Sequence, residues 1–223
     1  MGHPFRLNWV IYRIHDSQLL QFAQKYLKGR MIDVGCGRKP YKAMMAPFVT
    51  EHVGVDHSET RHGLESVDLV GTAYSIPAPD QAFDSSICTA VLEHLEEPGL
   101  ALAEINRVLK PGAPLILSAP FFWHLHEAPR DFFRYTPYGL RHLLEKAGFE
   151  VVEMKALGGF GVMQMTMLAH FLLLLNRGPL RKLKVIVILG ALLQLAGWWL
   201  DRLVPRENWA WMHICVARKV EAG

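Results

Sequence analysis

The chain is poor in cysteine. Its three, Cys36, Cys88 and Cys215, are odd in number and far apart, which excludes the paired spacing of a zinc site or a disulfide framework and makes a reducing, cytoplasmic setting the expectation. A general excess of charge is also missing. Seven basic residues (Lys155, Arg177, Arg181, Lys182, Lys184, Arg202 and Arg206) face Asp201 alone, a local balance of +6 in a chain of net charge +3, so the remainder is acidic by three. No basic coat suited to nucleic acid is expected. In MGHPFRLNWVIYRIHDS polar and basic residues interrupt every apolar run, so no secretory h-region is expected there; Gly2 lacks the myristoylation pattern because Arg6 stands where Ser or Thr is needed. There is no internal repeat and no low-complexity linker. With 223 residues and 51% hydrophobic content, the chain has material for one substantial core, so a single domain over residues 1–223 is expected.

What is present is an alternation of short apolar runs and helical patterns. Residues 16–29 predict a helix, with Asp16 as cap, Leu19, Phe22, Ala23, Tyr26 and Leu27 on one face, and Gly29 ending it. MIDVG (31–35), HVGVD (52–56), VDLV (67–70), FDSSICTAVL (83–92) and PLILSAP (114–120) read as buried parallel strands. Helices are predicted at 100–109 and at 137–147, the latter capped by Thr136 with Pro137 in its first turn. FEVVEMKAL and WMHICVARK read as two closing strands. This pattern predicts a Rossmann-like, doubly wound α/β sheet.

The chemistry enters at Met31-Ile32-Asp33-Val34-Gly35-Cys36-Gly37, where a strand ends in an acid and turns through two glycines. Glycine there admits a ligand close to the backbone, and the next helix offers free N–H groups. A nicotinamide loop needs a third glycine three residues on, where this chain has Pro40. Asp56 ends the following strand, 19 residues after Gly37, placed to accept the hydroxyls of a ribose while Asp33 meets a cationic amino group. Those two roles suit an aminoacyl nucleoside better than a dinucleotide. The bland alternative is a plain strand-turn-helix with surface acids.

MIDVGCG, VGVD, FDSSICTAVLEHLEEP and INRVLKPGAPLILSAP resemble the successive motifs of class I S-adenosylmethionine-dependent methyltransferases of the small-molecule type (type 11-like), over about residues 28–157 and again at 209–219. The resemblance implies a mostly parallel seven-stranded sheet with an antiparallel closing strand, and S-adenosylmethionine as cofactor. It places Asp33, Gly35, Cys36 and Gly37 around the methionine part, Asp56 and His57 at the ribose, Thr72 and Ala73 at the adenine edge, and Thr89, Ala90 and His94 on the pocket floor. Two departures stand out: the family commonly has another glycine just after Gly37, where this loop runs Arg38-Lys39-Pro40-Tyr41, and an acid where Thr72 stands.

In open α/β sheets ligands sit beyond the carboxyl ends of the strands, so the segment from Phe121 to Tyr135 is expected to face the methyl acceptor. If it is extended, His124 and His126 point the same way, and either is a candidate general base. In a second reading Arg130 and Arg134 pair with Glu127 and Asp131 to order a lid. A metal is not expected, because His-x-His lacks clear third and fourth ligands.

Between the closing strands stands an insert of about fifty residues, 158–208. It holds VMQMTMLAHFLLLL (162–175), the basic link NRGPLRKLK, and VIVILGALLQLAGWWL (185–200). Uncharged runs of 14 and 16 residues fall short of the ~20 of a spanning helix. A helical hairpin on one leaflet, a cap over the site, extra core, or a contact with a second subunit remain as readings. The overall expectation is a methyltransferase for a small-molecule, glycan or lipid-linked acceptor, with peripheral membrane contact through 158–208; the alternatives are an NAD-dependent oxidoreductase and an inactive cofactor-binding module at a membrane.

Overall fold

The computed structural model describes residues 8–179, 184–204 and 207–221. Gly2, Arg6, Arg181, Lys182 and Arg206 lie outside them. Seven strands form one sheet: β1 (Arg30–Val34), β2 (Glu51–Asp56), β3 (Leu69–Val70), β4 (Ser85–Thr89), β5 (Pro114–Pro120), β6 (Phe149–Leu157) and β7 (Met212–Lys219), in the order β3-β2-β1-β4-β5-β7-β6. From β3 to β5 every pairing is parallel, with Asp33 opposite Gly54, Asp56 opposite Val70 and Thr89 opposite Ser118. β7 is the antiparallel strand: Lys219 exchanges hydrogen bonds with Gly112 and Ala113, near the start of β5, and Phe121, just past its end, donates to Trp211. The expected Rossmann-like doubly wound sheet is therefore present.

The chain divides into two compact units. One comprises residues 19–119, 126–155 and 214–223 and carries most of the sheet. Its core sets Ile32, Val34, Val53, Val55, Cys88, Leu115 and Leu117 from the strands with Leu102, Ile105 and Val108 of α3 (Pro98–Val108) and Leu140 and Leu144 of α4 (Pro137–Lys146). Each such aliphatic side chain contributes about 1.5–3 kcal/mol on burial. At the start of α4 Thr136 accepts from Gly139 N–H at 3.0 Å, as its pattern predicts. A single turn, α2 (Lys42–Met45), follows the β1 loop.

α1 (Trp9–Tyr26) begins seven residues before the predicted start, so Asp16 is interior to it rather than its cap. Arg13, His15, Asp16 and Ser17 read as an interruption in sequence, but polar residues do not break a helix whose apolar positions Val10 and Ile11 are buried.

The other unit comprises residues 1–18, 120–125 and 156–213. It is built around α5 (Phe160–Leu172), which a short 3-10 turn extends to Leu175, and α6 (Val185–Leu203). α6 runs on through Asp201-Arg202-Leu203, and its 19 residues make it long and apolar enough to cross a membrane, correcting the shortness expected from the uncharged run alone. The helices cross backbone to backbone. A Cβ on Gly197 would lie 2.4 Å from the Gly161 carbonyl oxygen. Asp201 then caps α5 from the neighbouring helix: its carboxylate accepts from the N–H groups of Gly159 (2.7 Å), Gly161 (2.6 Å) and Val162 (3.0 Å). Asp201→Ala is expected to lower unfolding stability by about 1–2 kcal/mol, read by denaturant titration, with Asp201→Asn recovering part of the loss.

Candidate functional site

The carboxyl ends of β1, β2 and β4 open into two cavities, of about 520 and about 350 Å³, that share Gly35, His62 and Ala90 in their linings. Asp56, His57, Thr72, Ala73 and His94 line the larger. Asp33, Cys36, Gly37 and Thr89 line the smaller. Every residue assigned to the cofactor by resemblance thus borders this paired space.

The turn after β1 is held by its neighbour strand. Gly35 and Cys36 N–H both donate to Val55 O, while Gly37 N–H donates to Asp56 Oδ2 at 2.8 Å. The other oxygen of Asp56 accepts from His57 N–H at 2.8 Å. A carboxylate has about four acceptor sites, so the two that remain can take the two hydroxyls of a ribose. Gly35 has φ +72°, and a Cβ there would stand 2.4 Å from Val91 Cγ2. Gly35→Ala is expected to cost about 1–2 kcal/mol from the left-handed backbone alone, read as a lowered melting temperature of the ligand-free protein.

Asp33 lies almost fully buried with Oδ2 at 2.9 Å from His52 Nε2. Burial pushes its carboxyl above the usual carboxylate range, against the opposing pull of His52 and Lys39. Burial likewise pushes the Cys36 thiol up to about 12, helped by Asp33 and Asp56, so Cys36 stays protonated and is no nucleophile.

The unusual loop Arg38-Lys39-Pro40 has a structural reason that the sequence did not reveal. Lys39 is buried, donates to His52 O at 3.2 Å and pairs with Asp68, whose carboxylate also accepts from Gly54 N–H at 2.6 Å. The loop is thereby tied to the strand that supports Asp56. The signal available was an unpaired acid just before β3.

The two candidate bases have different partners. His124 Nε2 lies 3.3 Å from His170 Nδ1, and His170 Nε2 lies 2.7 Å from Asn8 Oδ1. Burial, aided by His124, holds His170 below the ordinary histidine range. His126 instead packs its ring against His94, centroids 4.8 Å apart, with Nδ1 at 3.2 Å from Asp131 Oδ2. Of the ion pairs expected in this segment, one forms. Arg134 grips Asp131 with two bonds of 2.6 and 2.8 Å, whereas Arg130 pairs with Glu59 at 3.4 Å rather than with Glu127. Arg61 donates to Ala128 O at 3.0 Å, a second tie between the two edges of the larger cavity.

Glu93, which no sequence motif singles out, sits beneath this cluster at 1% exposure. Its backbone carbonyl accepts from Phe132 and Phe133 N–H, which fixes this segment against the turn after β4. Burial pushes the Glu93 carboxyl up to about 8, opposed by Arg134.

Residues 32–117 match the family model described as a methyltransferase domain. The chain is 29% identical over 147 residues to an uncharacterized methyltransferase, YcgJ, of Bacillus subtilis, covering 57% of this chain and 56% of that protein. It is 35% identical over 114 residues to a ubiquinone biosynthesis O-methyltransferase of Hahella chejuensis, covering 46% of each. Among solved structures, the 1,6-didemethyltoxoflavin-N1-methyltransferase of Burkholderia thailandensis, crystallised with S-adenosylhomocysteine, superposes with a TM-score of 0.58 at 17% identity, over 93% of this chain and 77% of that one. The chain spans about half the length of the first curated relatives it matches. The match over residues 32–117, with these relatives, makes the central segment similar to class I S-adenosylmethionine-dependent methyltransferases.

Proposed function

We propose that the protein transfers the methyl group of S-adenosylmethionine to a nucleophilic atom of a small-molecule, glycan or lipid-linked acceptor. One observation carries this reading: Asp56, at the end of β2, and Asp33, at the end of β1, border adjoining cavities on either side of the Gly35-Cys36-Gly37 turn. That spacing fits the ribose and the ammonium group of one aminoacyl nucleoside. Pro40 and a buried Lys39 occupy the loop where a dinucleotide fold needs close glycine packing. Transfer breaks the sulfur–methyl bond and forms the bond to the acceptor, releasing S-adenosylhomocysteine and one acceptor proton. The sulfonium is already activated, so alignment supplies much of the rate, and His126 or His124 takes up the proton where the acceptor needs a base. The test is a calorimetric titration with S-adenosylhomocysteine and with NAD, followed by incubation with methyl-labelled donor and separated aqueous and lipid extracts. Binding of NAD alone would move the protein to the oxidoreductases. Donor binding without label in either extract would leave an inactive cofactor-binding module.

A membrane-facing role for the α5–α6 hairpin is favoured by the polarity of α6, which is inverted relative to a helix in water. Ile188, Leu192, Leu195, Trp199 and Leu203 form one exposed stripe at helical spacing, while Gly190, Gln194 and Gly197 are buried with Ile186. Small and polar residues at the helix contact, with apolar residues outward, is the arrangement helices adopt in lipid. Arg177 and Lys184 lie near one end of the hairpin and Arg202 near the other. Basic residues at both ends of an apolar stripe suit a hairpin lying along the headgroups, not one driven in by its tip. The cytoplasmic face is the side on which the free, buried Cys36, Cys88 and Cys215 stay reduced.

A further inference from the structure

We infer that Glu93, His94 and His126 form a binding site for a divalent cation of the zinc class. Sequence offered only His-x-His with no third ligand; the fold replaces His124 in that set and brings Glu93 and His94 to His126. One ligand atom from each of the three lies within 4.8 Å of the others. Two imidazoles and a carboxylate are a donor set that zinc takes in sites that keep open positions. Zinc bonds of about 2.0–2.1 Å place tetrahedral ligand atoms about 3.4 Å apart. Side-chain rotations that bring the ligand atoms about 1.4 Å closer close that gap.

The surroundings prepare each donor. His94 Nδ1 lies 2.6 Å from the Arg130 carbonyl oxygen, which fixes the proton on Nδ1 and presents the Nε2 lone pair, 3.9 Å from Glu93 Oε1. His126 Nδ1 faces Asp131 Oδ2 at 3.2 Å, and Asp131 is held in turn by Arg134 and by the N–H of His126 at 2.8 Å. A carboxylate behind an imidazole is the outer shell that orients a metal-binding histidine. Arg134 places a positive charge nearby, its Nη2 3.5 Å from His126 Nδ1, and its two hydrogen bonds to Asp131 set a carboxylate against that charge. Independently of this geometry, the fully buried Glu93 Oε2 has no hydrogen-bond partner among the described residues. An unpaired buried carboxyl oxygen is costly, and a cation at this point satisfies it, displacing the proton that burial keeps on Glu93.

His94 also lines the larger cavity, so coordination positions not filled by the protein open toward it. An ion there would favour acceptors that present an oxygen donor and, with His126 Nδ1 on Asp131 and Nε2 on the ion, would take the place of His126 as base, a step that rests on the methyl-transfer reading. Cation binding itself does not.

The experiment is a titration of the full chain, freed of metal by chelation, with Zn²⁺ against a chromogenic competitor and with no donor or acceptor present. One Zn²⁺ per chain is expected, with Glu93→Gln and His126→Gln each weakening it by about tenfold or more. Co²⁺ in place of zinc is expected to give visible d–d bands without a thiolate charge-transfer band. Failure of stoichiometric binding, unchanged affinity in the Glu93→Gln/His126→Gln double variant, or a thiolate band from the wild-type protein overturns the site. The cobalt spectrum of the wild type decides the matter even where a variant does not fold. S-adenosylhomocysteine binding, measured separately, shows whether the methyltransferase reading stands apart from it.

Discussion

Asp56→Ala is expected to weaken S-adenosylhomocysteine binding by at least thirtyfold, about 2 kcal/mol or more, because truncating one side of a buried, charge-assisted pair leaves the ligand hydroxyls without acceptors. The side chain also works without ligand. Its two oxygens hold Gly37 N–H and His57 N–H at 2.8 Å each, so removing it loosens the turn as well as the ribose contact. Asp56→Asn separates the two effects. Its amide oxygen still accepts from one backbone N–H but carries no charge, so the ligand-free melting temperature is expected to stay nearer the wild type while affinity falls. Calorimetry on both variants, each paired with a melting curve, reads the difference. Wild-type affinity in Asp56→Ala would remove the carboxylate from the cofactor site.

The strands and the turn after β1 were legible because their signals are local. Buried parallel strands are short apolar runs, the turn is a pair of glycines, and α4 announces itself through Thr136 and Pro137. What stayed hidden depends on partners distant in sequence. Lys39 stands in the sequence only as part of a loop that departs from the family pattern, because the acid that pairs with it, Asp68, lies 29 residues on. Glu93 read as one acid in the Leu92–Glu97 run, although its neighbour in space is His126 from another segment. The start of α1 was masked by polar residues whose spacing hid Val10 and Ile11. In the insert, hydrophobicity was plain but its direction was not. Composition gives the same count whether Leu192 faces inward or outward, and only the close approach of Gly161 and Gly197 decides which face of α6 is left over.

That leftover face leads to the second large effect. The triple substitution Ile188→Gln, Leu192→Gln and Trp199→Gln is expected to reduce co-flotation with vesicles containing anionic lipid by about a hundredfold. The three side chains are roughly half exposed. Burying the exposed part of each in the interface is worth about 1 kcal/mol, or about 3 kcal/mol together, which is two orders of magnitude in binding. Because all three point away from the Gly190–Gln194–Gly197 side, S-adenosylhomocysteine affinity and far-UV circular dichroism are expected to be unchanged. Raising salt should weaken vesicle binding only in part, since Arg177, Lys184 and Arg202 supply an electrostatic component that ions screen while the apolar stripe does not depend on it. Wild-type protein that stays at the bottom of the gradient, or a triple variant that floats as well as the wild type, would show that lipid does not cover this face.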